Sequence, residues 1–226
     1  MQCYIFVSNI KNTFMQKIKN IIFDYGNVIF AIDFRITQNS LKQLGIPNIE
    51  TFFGHTGHHN LFNDLETGLI TPAQFRDGIR EIAQNSALTD AQIDAAWNSL
   101  LIGVQPGTHQ VLLEIKKNYR TFLLSNNNQI HYDYIIDYLK KEHQLENNDS
   151  FFENSYYSHF MKLRKPHVEI YEQVIRENNL NPAETLFIDD TPGHLEGAKK
   201  AGLQTLLMTE KPENLGAFLK SKGLLV

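Results

Sequence analysis

Short apolar runs that stop at polar residues alternate with stretches of helical spacing along most of this chain. Ile21-Ile22-Phe23 stops at Asp24, Thr121-Phe-Leu-Leu124 at Ser125-Asn126, and Thr185-Leu-Phe-Ile188 at Asp189-Asp190. Runs this short, rich in β-branched and aromatic residues and bounded by turn formers, predict buried parallel strands. Thr205-Leu-Leu-Met208 predicts a last parallel strand, and Ser155-Tyr-Tyr-Ser158 a short one. Between them the period changes to that of helices. One carries Val111, Leu112 and Ile115; a second Ile130, Tyr134, Ile135 and Leu139; a third Ile170, Tyr171 and Val174. Leu195 to Ala201 is helical and stopped by Gly202, and Leu215 to Lys220 closes the chain.

From Asp33 to about Val104 the pattern is helical throughout, and no strand is expected. Thr37 to Leu44 is stopped by Gly45-Ile-Pro47, and Gly68 stops a helix carrying Leu61, Phe62 and Leu65. Thr71-Pro-Ala-Gln74 and Thr89-Asp-Ala-Gln92 both fit a capping box ahead of an amphipathic run. The expected fold class is therefore α/β: a Rossmann-like, doubly wound parallel sheet core with an inserted α-helical cap domain. Residues 15–32 and 105–226 form the core in this reading, residues 33–104 the cap, and residues 1–14 an N-terminal extension ahead of Met15.

Composition narrows the class of protein. A chain of 226 residues with 42% hydrophobic and 20% charged residues suits a globular protein with a sizeable core. The formal net charge of -4 argues against nucleic acid or an anionic membrane as the main partner. Cys3 is the single cysteine, so neither a disulfide framework nor a multi-cysteine metal site is available. Cys3-Tyr-Ile-Phe-Val7 is too short to span a bilayer and lacks the features of a signal peptide, so a cytoplasmic location is expected. Nothing in the pattern sets an oligomeric state, and a monomer is the default expectation.

The polar residues at the strand ends carry the chemistry. Parallel strands would bring Asp24, Ser125-Asn126 and Asp189-Asp190 to one edge of the sheet, where ligands bind in open α/β folds. Gly26 permits a sharp bend close to a ligand. Singly, each group has an ordinary reading: Ser125 as a helix cap, Lys165 as a solvated loop cation, the adjacent aspartates as turn formers. In order, however, Asp24-Tyr-Gly-Asn-Val, Ser125-Asn126, Lys165-Pro166 and Asp189-Asp190 resemble the four motifs of the haloacid dehalogenase superfamily. The likeness runs from about Lys17 onward. Leu163-Arg-Lys-Pro-His-Val-Glu-Ile-Tyr171 and Leu195-Glu-Gly-Ala198 resemble a branch that contains sugar-phosphate phosphatases, among them α-D-glucose-1-phosphate phosphatases.

The resemblance implies a Mg²⁺-dependent phosphatase acting on a small phosphorylated metabolite, such as a sugar phosphate. Asp24 would be the nucleophile and form an aspartyl-phosphate. Mg²⁺ would be held by Asp24, the Gly26 carbonyl, Asp189 and Asp190. Lys165, Ser125, Asn126, Tyr25 and Gly26 would border the phosphoryl group, with Lys165 as a point positive charge. One departure matters. The superfamily's phosphatases usually carry a second aspartate two residues after the nucleophile, to protonate the departing alcohol; here that position is Gly26. A sugar 1-phosphate, whose anomeric hydroxyl leaves more easily, would need that acid less. His55, His58 and His59 in the cap, and Asp33, are alternative proton sources. Two rival readings are a 2-haloacid dehalogenase-like hydrolase, which needs no metal, and a phosphate-ester-binding regulatory protein of weak turnover.

Overall fold

The protein, seen here in a computed structural model, is described over residues 18–46, 49 and 60–225. The extension, Cys3 and the histidines His55, His58 and His59 lie outside the described residues. Five parallel strands form one sheet: β1 (Asn20–Phe23), β4 (Arg120–Ser125), β5 (Asn154–Tyr157), β6 (Thr185–Asp189) and β7 (Gln204–Leu207). Their order is β5-β4-β1-β6-β7, so the opening strand is central. Its four residues are all buried, and side chains alternate between two cores. Ile21 and Phe23 join Leu123, Ile188 and residues of α5 (Thr108–Lys116), α6 (Gln129–His143) and α10 (Leu215–Ser221). Ile22 joins Phe122, Phe187 and residues of α8 (Val168–Glu177) and α9 (Pro192–Lys200) on the other face. The sheet is doubly wound, as expected.

Between β1 and β4 stand four described helices: α1 (Phe34–Gln43), α2 (Asn60–Glu66), α3 (Pro72–Ile82) and α4 (Asp90–Asn98). Both expected capping boxes form, Thr71 with Gln74 and Thr89 with Gln92. These helices enclose a core of their own around Trp97, whose ring lies 5.4 Å from Phe62 and 5.0 Å from Phe75. Burying each such side chain contributes roughly 1.5–3 kcal/mol to holding these helices together.

The insertion is not free of strands. Leu101–Val104 forms β3, pairing antiparallel with β2 (Phe30–Ile32) in a separate two-stranded ribbon. At three and four residues, these strands are too short for a two-residue period to show against the helical pattern around them. A second joint reaches α6. The Trp97 indole stacks on the His131 ring at 4.8 Å and donates to Asn128 Oδ1 at 3.3 Å. Asn128 also caps α6, and its side-chain amide faces His131 Nδ1, so His131 Nε2–H is left to donate to the Trp97 carbonyl. Burial holds His131 down at about 4, uncharged. Among the described residues no helix is long and apolar enough to cross a membrane.

Candidate active site

The turn after β1 carries Asp24 into a cleft of about 330 Å³ between the sheet edge and the insertion. Its left-handed residue is Asn27 (φ 54°), not Gly26. Asn27 is well suited to that conformation, and its side chain accepts from the Ile32 N–H at 3.2 Å, closing the turn. Gly26 matters for space instead: a Cβ there would come within 3.0 Å of the Ile32 side chain. A side chain at this position would therefore require the end of Ile32 to give way by a few tenths of an ångström.

Asp24, Lys165 and Asp189 converge. The Lys165 ammonium donates to Asp24 Oδ1 at 2.6 Å and to Asp189 Oδ2 at 2.7 Å, across sequence gaps of 141 and 24 residues. Lys165 is fully buried, with its ammonium 5.4 Å from the centre of the Phe187 ring. Asp190 completes the acid cluster: oxygens of Asp24, Asp189 and Asp190 lie within 4.8 Å of one another. Three such hard oxygen donors around a small gap are what a divalent cation requires.

Neighbours fix these groups. The Asn126 side chain clamps the backbone of Lys165, accepting from its N–H at 2.9 Å and donating to its carbonyl at 3.0 Å. Asn126 is therefore not at a helix start; α6 begins at Gln129, with Asn128 as its cap. Gly197 lets α9 press on the same loop, since a Cβ there would fall 2.1 Å from the Pro166 carbonyl oxygen. His194 Nδ1 lies 3.1 and 3.0 Å from the two Asp189 oxygens, and the Thr191 N–H donates to Asp189 at 2.8 Å.

Burial and mutual charge set the ionisation of these groups. Burial, followed by the negative charge of Asp189, pushes Asp24 up to about 8 despite the ammonium beside it. Burial also resists ionisation of Asp189, but Lys165 and the bond from His194 prevail and hold it down at about 2. For Lys165, burial opposes the charge and the two aspartates more than restore it, so it stays protonated. Burial and then the Lys165 charge lower His194, leaving it a neutral donor to Asp189 through Nδ1.

The remaining expected residues separate. Gly26 and Asn126 line the cleft. Ser125 and Tyr25 border a smaller adjoining cavity of about 80 Å³ behind it, and the Tyr25 ring packs on Phe30 at 5.4 Å. Asp33 is a helix cap: it accepts from the Arg35 N–H at 2.9 Å, and the Arg35 side chain then holds it below the usual carboxylate range. Two lining residues, His194 and Glu66, the latter from α2 of the insertion, were not singled out by the sequence pattern, and Arg164 stood in the Leu163–Tyr171 motif with no role assigned.

A family model described as haloacid dehalogenase-like hydrolase matches residues 18–202. The chain belongs to the haloacid dehalogenase-like hydrolases. It is 28% identical over 197 residues to D-ribitol-5-phosphate phosphatase of Bacteroides thetaiotaomicron, covering 87% of this chain and 93% of that protein. It is 31% identical over 207 residues to glyceraldehyde 3-phosphate phosphatase of Pyrococcus furiosus, covering 85% and 81%. Among solved structures, a HAD family enzyme of Bacteroides thetaiotaomicron in complex with magnesium superposes with a TM-score of 0.81 at 34% identity, covering 90% of this chain and 99% of that one. The same enzyme is known in complex with magnesium and inorganic phosphate, with a TM-score of 0.74, 37% identity and coverage of 84% and 93%.

Proposed function

We propose that this chain is a Mg²⁺-dependent phosphatase that hydrolyses a small phosphorylated sugar or polyol through an aspartyl-phosphate on Asp24. The observation that carries the reading is the fully buried Lys165 bridging Asp24 and Asp189, with Asp190 in the same cleft. Phosphoryl transfer to a carboxylate brings two anions together, and this site sets a buried ammonium at the nucleophile and a carboxylate cluster suited to a cation beside it. Asp24, Asp189 and Asp190, with the Gly26 carbonyl, would hold Mg²⁺, which when bound neutralises charge on the phosphoryl oxygens. Lys165 turns Asp24 toward the phosphorus and offers its remaining proton to a phosphoryl oxygen. The insertion, residues 33–104 in the boundaries given above, acts as the cap over the leaving group.

The acid cluster also separates this reading from its rivals. Three carboxylates in one cleft repel a 2-haloacid anion, and a pure phosphate-ester binder gains nothing from a carboxylate facing the phosphorus. The substrate class is supported by the named phosphatases to which the chain is similar, both of which act on esters of sugar-like alcohols. A sugar 1-phosphate is a second reading, favoured by Gly26 alone. Inorganic phosphate release from a panel of aldose 1-phosphates, aldose 6-phosphates and polyol phosphates tests both. Turnover of a terminal phosphate at or above that of the 1-phosphates is expected, and a clear preference for the 1-phosphates would establish the second reading. No release from any ester at saturating Mg²⁺ would sink the phosphatase altogether.

Metal binding should be linked to a proton. With no cation bound, Asp24 holds its proton up to about pH 8, so Mg²⁺ must displace it. Below that pH the affinity is expected to rise about tenfold per pH unit, and calorimetry in buffers of different ionisation enthalpy should show release of about one proton at pH 7. Stability follows with the same sign. The folded, metal-free protein binds more protons than the unfolded chain between about pH 4 and 8, so this group's contribution falls as pH rises through that window. The rise in Tm produced by Mg²⁺ should therefore be larger at pH 8 than at pH 6. Equal shifts at both pH values would show that Asp24 is not the linked group.

A further inference from the structure

The cleft leaves one chemical need unmet by the residues already placed. An alkoxide leaving group must receive a proton, and the core offers glycine at position 26, backed by Ile32. The geometry points to Glu66, at the last turn of α2, as the general acid that protonates the leaving alcohol and then the base that activates water. This rests on the phosphatase reading above. Glu66 lines the same cleft as Asp24, Lys165, Asp190 and His194. It also lines the smaller adjoining cavity of about 80 Å³, together with Trp97, Leu100 and His131.

Its surroundings suit a carboxyl that changes charge. Glu66 Oε2 lies 3.0 Å from the Arg164 guanidinium but makes no well-aligned hydrogen bond. Arg164 is itself anchored by the Asn63 side chain of α2. The Glu66 backbone is fixed from the core, where the Ser158 hydroxyl lies 2.7 Å from its carbonyl. Burial raises the Glu66 pKa above the usual carboxylate range, against the opposing charges of Arg164 and Lys165. Arg164 then stabilises the carboxylate formed.

The step balances without a further reactant. As an Asp24 oxygen bonds to phosphorus, the bond from phosphorus to the ester oxygen breaks and that oxygen takes the Glu66 proton. In the second half, Glu66 removes a proton from water, the water oxygen bonds to phosphorus, and the bond to Asp24 breaks. Inorganic phosphate and the protonated acid are left.

The experiment compares Glu66→Gln with wild type on two esters, ribitol 5-phosphate and p-nitrophenyl phosphate, whose leaving groups differ in their need for a proton. For the ribitol ester kcat should fall roughly 10²–10⁴-fold, the usual contribution of a positioned acid. For the nitrophenyl ester the first step needs no acid, so its pre-steady-state burst of nitrophenol should be slowed at least about tenfold less than the first release of ribitol, while hydrolysis of the common aspartyl-phosphate slows equally for both. The alkaline fall in kcat on the ribitol ester should vanish with the side chain that titrates, and Glu66→Asp should recover part of the rate. Equal losses in that first step for the two esters, or an unchanged pH profile, would overturn the assignment and leave Glu66 a structural partner of Arg164. Wild type inactive on both esters would instead fault the phosphatase reading beneath it.

Discussion

Asp24→Asn is expected to remove turnover, by roughly 10⁴-fold or more, while leaving the folded state intact. The replacement keeps the shape of the side chain and an oxygen for the Lys165 ammonium, which stands 2.6 Å away. It removes the attacking oxygen, so no aspartyl-phosphate can form. Because Asp24 keeps its proton up to about pH 8 without a cation, an amide resembles the state already present at neutral pH. The Tm in EDTA at pH 7 should therefore hardly move. With Mg²⁺ added, wild type should gain more than the variant, which has lost one ligand charge. Single-turnover phosphate release and thermal melts with and without Mg²⁺ check the three statements together. Activity within tenfold of wild type would end the covalent mechanism.

Lys165→Met should be damaging in a different way, because it harms stability as well as rate. The ammonium is the cation that lies between Asp24 and Asp189, and both carboxylates are buried. Removing one partner of a buried ionic group is destabilising by about 3–5 kcal/mol, since the charge left behind stays desolvated. For a chain of this length the fall in Tm should be on the order of 10 °C in EDTA. Loss of a donor to the phosphoryl oxygens should lower kcat by roughly 10²–10³-fold. Mg²⁺ should restore much of the lost stability, because it supplies the missing positive charge, yet little of the rate, because it does not replace the donor. A variant as stable as wild type in EDTA would show that Lys165 is not what holds the acids together.

Much of this geometry was legible in the sequence because strands are short and end abruptly. Asp24, Ser125 and Asp189 each close an apolar run, and three parallel neighbours must then carry those residues to one edge. Lys165 could be placed only through the order of the motifs, since a loop lysine has no periodicity. The pairing of Glu66 with Arg164 was invisible for a related reason. Their contact spans 98 positions and joins a helix of the insertion to a loop of the core, a pairing that no local pattern encodes. His194 lies five residues past Asp189, in the first turn of α9, where a histidine reads as an ordinary exposed residue. Asn126 showed the limit in another form: it was expected beside the phosphoryl group, and its side chain holds the backbone of Lys165. The ribbon of β2 and β3 was missed because its strands are too short to beat the helical pattern around them.

That ribbon has a mechanical consequence. Chain leaving the sheet at Phe30–Ile32 and chain returning at Leu101–Val104 lie side by side, hydrogen-bonded to each other. Both strands therefore tie the two ends of the insertion to each other. Glu66 is held across the same boundary, by the Arg164 guanidinium at 3.0 Å and by the Ser158 hydroxyl 2.7 Å from its carbonyl, so the insertion is fastened to the core at the cleft as well as at the ribbon.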